Sequence, residues 1–171
     1  MARLFFAVWP DAEAARALAE VSRSLAELVG GKPVPMEKIH LTLAFLGSVD
    51  EAQAQAARAA AQSIRGRPFE MVLDHVGSFR KARVGWAGSN KPPVALERFA
   101  SALSEDLRKR GFELDDRPFN PHITLARNIA RAVPRAPIPP IAWKAREMTL
   151  VRSETGTGRY VIEERWPLGR A

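Results

Sequence analysis

The tetrapeptide His-x-Thr-x, with an apolar residue at each x, occurs twice in this chain, as His40-Leu41-Thr42-Leu43 and as His122-Ile123-Thr124-Leu125. The chain has three histidines, and two of them fall in this pattern. The copies stand 82 positions apart in 171 residues, close to half the chain. Side chains alternate faces along a strand, so His40 shares a face with Thr42 and His122 with Thr124, while Leu41, Leu43, Ile123 and Leu125 turn the other way into a core. A polar pair on an otherwise apolar strand is costly unless it meets solvent, a ligand or a partner. One such pattern is ordinarily a surface or satisfied histidine. Two copies with the same apolar flanks constrain the fold to two related halves, each giving one strand to a shared cleft.

The rest of the chain fits around those strands. Residues 4–9 are apolar and end at Pro10, as a buried strand does. Asp11 is placed as a helix N-cap. Leu18, Val21, Leu25 and Leu28 then recur at helical steps until Gly30-Gly31. Residues 39–46 form the first motif strand, and Asp50 caps an alanine-rich helix to about residue 64. Residues 69–76 and 82–87 read as strands around a loop at 78–81. Leu96, Phe99, Leu103 and Leu107 make a second helical stripe, and Asn120-Pro121 leads into the second motif strand. Residues 131–140 read as a proline-rich connector. Strands at 147–153 and 159–164, joined at Gly156-Thr157-Gly158, close the chain. Strands and helices mixed without strict βαβ alternation predict an α+β fold with antiparallel sheets.

Charge narrows the partners. There are 26 basic and 19 acidic residues, a net charge of +7, and the pI is near 10.5. This balance favours polyanions, nucleic acid first. The cations are scattered, so a folded groove is expected rather than a basic tail. The lack of cysteine excludes thiol catalysis, disulfides and cysteine-ligated zinc. Three dispersed histidines make no metal cluster and no HExxH, so neither metal nor cofactor is expected. No apolar run approaches the roughly eighteen residues of a membrane span, and no targeting segment is recognisable. A cytoplasmic monomer without membrane contact is the expectation.

Two imidazoles across a phosphate can divide acid and base work, one taking a proton from water and the other giving one to the leaving oxygen. Threonine hydroxyls can donate to the non-bridging oxygens as charge builds there. Arg127, five places after His122, could clamp a phosphate, but strict alternation points it away, so it needs a twist or a bulge. Phe45 stands at the same place after His40. It is a candidate for stacking on a base and equally for the core. His75, with no threonine two residues on, reads as structural. Trp86, Trp143 and Trp166 read as core, and Arg80 and Lys81 as a solvated loop that could touch an RNA backbone.

The motif blocks 40–47 and 118–127, together with Arg3-Leu4-Phe5-Phe6-Ala7-Val8 and the closing Leu150, Ser153, Tyr160 and Trp166-Pro167-Leu168, resemble the two-histidine phosphoesterase superfamily. Within it the chain resembles the RNA 2′,3′-cyclic phosphodiesterases, also called 2′-5′ RNA ligases. The likeness implies a single two-lobed domain over residues 1–171. Its pseudo-symmetric α+β lobes would each be an antiparallel sheet with helices on the outer face, with the active-site cleft between them. It implies metal-free hydrolysis of RNA 2′,3′-cyclic phosphate ends to 2′-phosphates, with ligation as the reverse. His40 would be the proton donor and His122 the proton acceptor, and Thr42, Thr124 and Arg127 would hold the phosphate. The same cleft would also suit small cyclic nucleotides or ADP-ribose cyclic phosphates, or a module that binds nucleotide or RNA without turnover.

Overall fold

Two aspartates start two of the helices, as their positions in the sequence imply. In the computed structural model, which describes residues 1–169, Asp11 accepts a hydrogen bond from the Ala14 N–H at 2.8 Å and caps α1 (Ala12–Val29). Asp50 and Gln53 exchange side-chain-to-backbone bonds in a capping box at the start of α2 (Glu51–Ser63). The third helix, α3 (Val94–Lys109), buries Leu96, Phe99, Leu103 and Leu107. Helix α1 ends at Gly30, whose φ of 70° is a left-handed conformation glycine adopts freely. Its buried stripe is Leu18, Ser22, Leu25, Ala26 and Val29, while Leu28 is 65% exposed. The apolar count misplaced the stripe because a serine occupies one core position. The hydroxyl of Ser22 accepts from the Val34 N–H at 3.0 Å and donates to the Leu125 carbonyl.

Nine strands form one antiparallel sheet. They are β1 (Ala2–Val8), β2 (Lys32–Pro33), β3 (Leu41–Val49), β4 (Phe69–Phe79), β5 (Val84–Gly88), β6 (His122–Arg127), β7 (Ala136–Ala145), β8 (Glu147–Ser153) and β9 (Tyr160–Pro167). Their order is β7-β4-β5-β6-β3-β1-β8-β9, with β2 added beside β6. The motif strands β3 and β6 therefore meet at the centre. They share a single pair, Leu41 with Ile123, each the residue after a motif histidine. Both are fully buried. One backbone pair contributes about 1 kcal/mol, whereas burying each of these side chains contributes roughly 2 kcal/mol. Side-chain packing therefore holds the seam more than the ladder does.

The segment read as a proline-rich connector is in large part strand. Residues 136–145 are β7, paired with β4. Pro137, Pro139 and Pro140 are tolerated because β7 is the sheet's edge, and the register breaks between Leu73↔Ile141 and His75↔Pro137, where Pro139 and Pro140 lie. Trp143 and Trp166 are buried, as expected of core residues. Trp86 is half-buried and lies across Gly77, where a Cβ would come within 2.6 Å of its ring. His75 is 6% exposed, bonded through Nδ1 to Asp74 at 2.8 Å and edge-on to Trp86, a structural placement. Among the described residues no helix is long and apolar enough to cross a membrane.

Candidate active site

Burial of Leu41 and Ile123 on the helix-covered face turns the residues on either side of them to the opposite face. His40 and Thr42 from one half, and His122 and Thr124 from the other, line a single cleft of about 140 Å³ together with Phe5, Phe45, Arg127 and Tyr160. No carboxylate is among these lining residues.

Arg127 reaches the cleft by a bulge. Thr124 pairs with Trp86 and Ala126 with Gly85, which leaves Leu125 unpaired. The extra residue reverses the alternation, so Leu125 and Ala126 are both buried and Arg127 is exposed on the histidine side. The first motif does the same. Thr42 pairs with Ala7 and Ala44 with Phe6, leaving Leu43 unpaired. Leu43 and Ala44 are buried, and Phe45 is 51% exposed. The core reading of Phe45 does not hold. Its ring lies at the cleft with the Arg3 guanidinium 5.3 Å from its centroid. The internal duplication thus includes the bulge as well as the motif.

The two imidazoles are fixed alike. Nδ1–H of His40 donates to the Lys38 carbonyl at 2.7 Å, and Nδ1–H of His122 donates to the Asn120 carbonyl at 2.8 Å. A carbonyl can only accept, so Nδ1 carries the hydrogen in each ring and Nε2 keeps its lone pair. Thr42 donates its hydroxyl hydrogen to Nε2 of His40 at 2.9 Å.

The surroundings of the rings differ. Phe5, Trp9 and Tyr160 stand 5.0, 5.3 and 5.6 Å from the His40 ring. Trp9 is held there by its indole N–H, which donates to Thr149 at 2.8 Å. His122 has Phe79 edge-on at 5.0 Å. Burial lowers the His40 pKa to about 4; the Lys38 carbonyl opposes that shift, and the positive fields of Arg127 and His122 add to it. Burial also lowers the pKa of His122, against its bond to the Asn120 carbonyl. Both rings are neutral in the free site at pH 7, each able to accept a proton on Nε2.

Sequence reading found six of the eight lining residues and missed the roles of Phe5 and Tyr160. Phe5 lies in an apolar strand whose residues look interchangeable in sequence. Tyr160, the chain's single tyrosine, reaches His40 only because β9 folds back on β8 and β8 pairs with β1. The carbonyls of Lys38 and Asn120 carry no side-chain signal. Their common place two residues before each histidine is the pattern that could have found them.

A family model described as LigT-like phosphoesterase matches residues 8–86 and 88–161. The RNA 2′,3′-cyclic phosphodiesterase of Escherichia coli K12 is 36% identical over 170 residues, covering 97% of this chain and 96% of that one. The protein of the same name from Thermus thermophilus is 33% identical over 165 residues, covering 89% and 82%. The crystal structure of E. coli LigT complexed with 3′-AMP superposes with a TM-score of 0.88 at 35% identity, covering 99% of each chain.

Proposed function

The chain belongs to the LigT-like phosphoesterase family, and from that premise we propose that it is an RNA 2′,3′-cyclic phosphodiesterase which opens the cyclic end to a 2′-phosphomonoester. The observation that carries this reading is the convergence of both His-Thr pairs and Arg127 on one cleft. Residues 1–171 are taken as one catalytic unit, a cytoplasmic monomer whose two histidines come from the same chain.

The chemistry needs one proton removed and one delivered. Neutral Nε2 of His122 takes a proton from water as the water oxygen bonds to phosphorus. The bond from phosphorus to O3′ breaks, and His40 protonates the departing O3′. Thr42, Thr124 and Arg127 meet the non-bridging oxygens, where charge accumulates.

His40 must therefore acquire a proton that the free site withholds. The substrate supplies the means. Its phosphodiester anion favours the imidazolium, and by pairing with Arg127 it cancels one of the positive fields that depress His40. When Nε2 is protonated it no longer accepts from Thr42, whose hydroxyl is released to donate to the phosphate. Phe45, exposed at the cleft, offers a ring suited to stacking on the terminal base. The test is to incubate the protein with an oligoribonucleotide ending in a 2′,3′-cyclic phosphate and identify the product isomer. A 2′-phosphate is expected, and a 3′-phosphate or an unchanged end counts against the reading.

A further inference from the structure

The row of the sheet that holds Arg127 continues beyond the cleft. Phe79 pairs with Val84, Val84 with Arg127, and Arg127 with Lys32. Directly paired residues share a face. In the row beside it, the buried Gly85 and Ala126 turn toward α1, where a Cβ on Gly85 would come within 3.0 Å of Leu25. Phe79, Val84, Arg127 and Lys32 therefore lie on the cleft face. Lys32 is exposed, and among the described residues neither it nor Arg127 is paired with a carboxylate.

The short strand that carries Lys32 is held in place. The Val34 N–H donates to the Leu125 carbonyl at 3.0 Å, and the buried hydroxyl of Ser22 ties Val34 to Leu125. Gly31 packs so closely on β6 that a Cβ would come within 2.9 Å of the Arg127 carbonyl. Lys32 is thus a cation on a fixed backbone, one strand over from the phosphate clamp.

The charge around this row is one-sided. Residues 69–88 and 117–146 supply β4, β5, β6, β7 and the β4–β5 turn, and they hold nine of the 26 lysines and arginines and two of the 19 aspartates and glutamates. The rest of the chain has 17 cations against 17 acids, so the net charge of +7 is carried by these 50 residues. A surface of that kind attracts a polyanion along its length.

We infer that Lys32, beside Arg127, is a subsite for the phosphate on the 5′ side of the terminal nucleoside, so that the enzyme grips the body of an RNA chain as well as its cyclic end. This rests on the phosphodiesterase reading for the identity of the end bound at Arg127. Neighbouring strands lie about 5 Å apart, a spacing from which a lysine stem reaches the next phosphate along a bound strand. A 2′,3′-cyclic mononucleotide without a 5′ phosphate leaves this subsite empty, and an oligonucleotide fills it.

The experiment compares kcat/KM for such a mononucleotide and for an oligoribonucleotide with the same cyclic end, in wild type, Lys32→Gln and Lys32→Arg. On the oligonucleotide, Lys32→Gln is expected to lose about tenfold and the slope of log(kcat/KM) against log[salt] to shrink by about 0.7. Lys32→Arg should restore both, and the mononucleotide should show no such loss. Equal loss on both substrates, or none on either, overturns the subsite. Anisotropy binding of an oligoribonucleotide with a 3′-phosphate reads the subsite without turnover: a Lys32→Gln loss of affinity supports it, and unchanged affinity overturns it. Failure of the wild type to hydrolyse either cyclic end instead contradicts the phosphodiesterase reading.

Discussion

Thr42 donates its hydroxyl hydrogen to Nε2 of His40 at 2.9 Å, so in the free site the nitrogen that the proposed reaction protonates is occupied by the group proposed to hold the phosphate. Substrate has to change both at once. A Thr42→Val enzyme loses the phosphate contact but no longer needs to break this bond. Its kcat is expected to fall by about ten- to a hundredfold, less than the loss on removing a histidine, as measured by initial rates on a cyclic-phosphate end.

The pH dependence should differ between the free and the bound enzyme. His40 titrates at about 4 and His122 below its ordinary 6.5 in the free site. The proposed working form has His122 neutral and His40 protonated, so kcat/KM should peak below pH 6.5, with apparent pKa values that belong to the pair. The bound phosphate anion raises the His40 pKa, so the kcat profile should lie at higher pH. Coincident profiles would contradict the proposed charging of His40 by substrate.

Stability should fall in mild acid for the same reason. The unfolded histidine titrates near 6.5 and the folded His40 near 4. Between those values the unfolded chain binds the extra proton, so stability is lost as pH drops from 6.5 toward 4. Allowing for partial solvent access, the loss is roughly 2 kcal/mol. Urea midpoints between pH 7 and 4.5 should fall less steeply in His40→Phe than in wild type. Parallel curves would show that His40 is not the group responsible.

The shared bulge makes Phe45 and Arg127 twofold equivalents with different chemistry, and their losses should differ in kind. Arg127→Gln removes the phosphate clamp and should lower kcat/KM on every cyclic substrate, mononucleotide included. Phe45→Ala removes a stacking face. It should raise KM with little change in kcat, by an amount that depends on the terminal base and corresponds to about 1–3 kcal/mol.

The motif pairs were legible because strand alternation acts on four residues at a time, and His40, Thr42, His122 and Thr124 need nothing else to share their faces. Arg127 was legible as a candidate but not as a cleft residue, since the bulge at Leu125 depends on how β6 pairs with β5. Phe45 stood undecided for the same reason at Leu43. The edge strand β7 was hidden by its prolines, which mark a connector in sequence and an edge in a sheet. Leu28 was misplaced because Ser22 takes a core position for its hydroxyl. The aromatic rings around His40 come from positions as distant as 5 and 160, and only the order of β1, β8 and β9 brings them together.

In the proposed reaction two histidines divide proton removal and proton delivery at a cyclic phosphate. The most direct test of this division is phosphorus NMR of a 2′,3′-cyclic-phosphate oligoribonucleotide with wild type, His40→Ala and His122→Ala, each confirmed as folded. The wild type is predicted to give the 2′-phosphomonoester, and each single variant to lose at least about 10²-fold in rate. Full activity in either variant, or a 3′-phosphate product from the wild type, would rule out that division of labour.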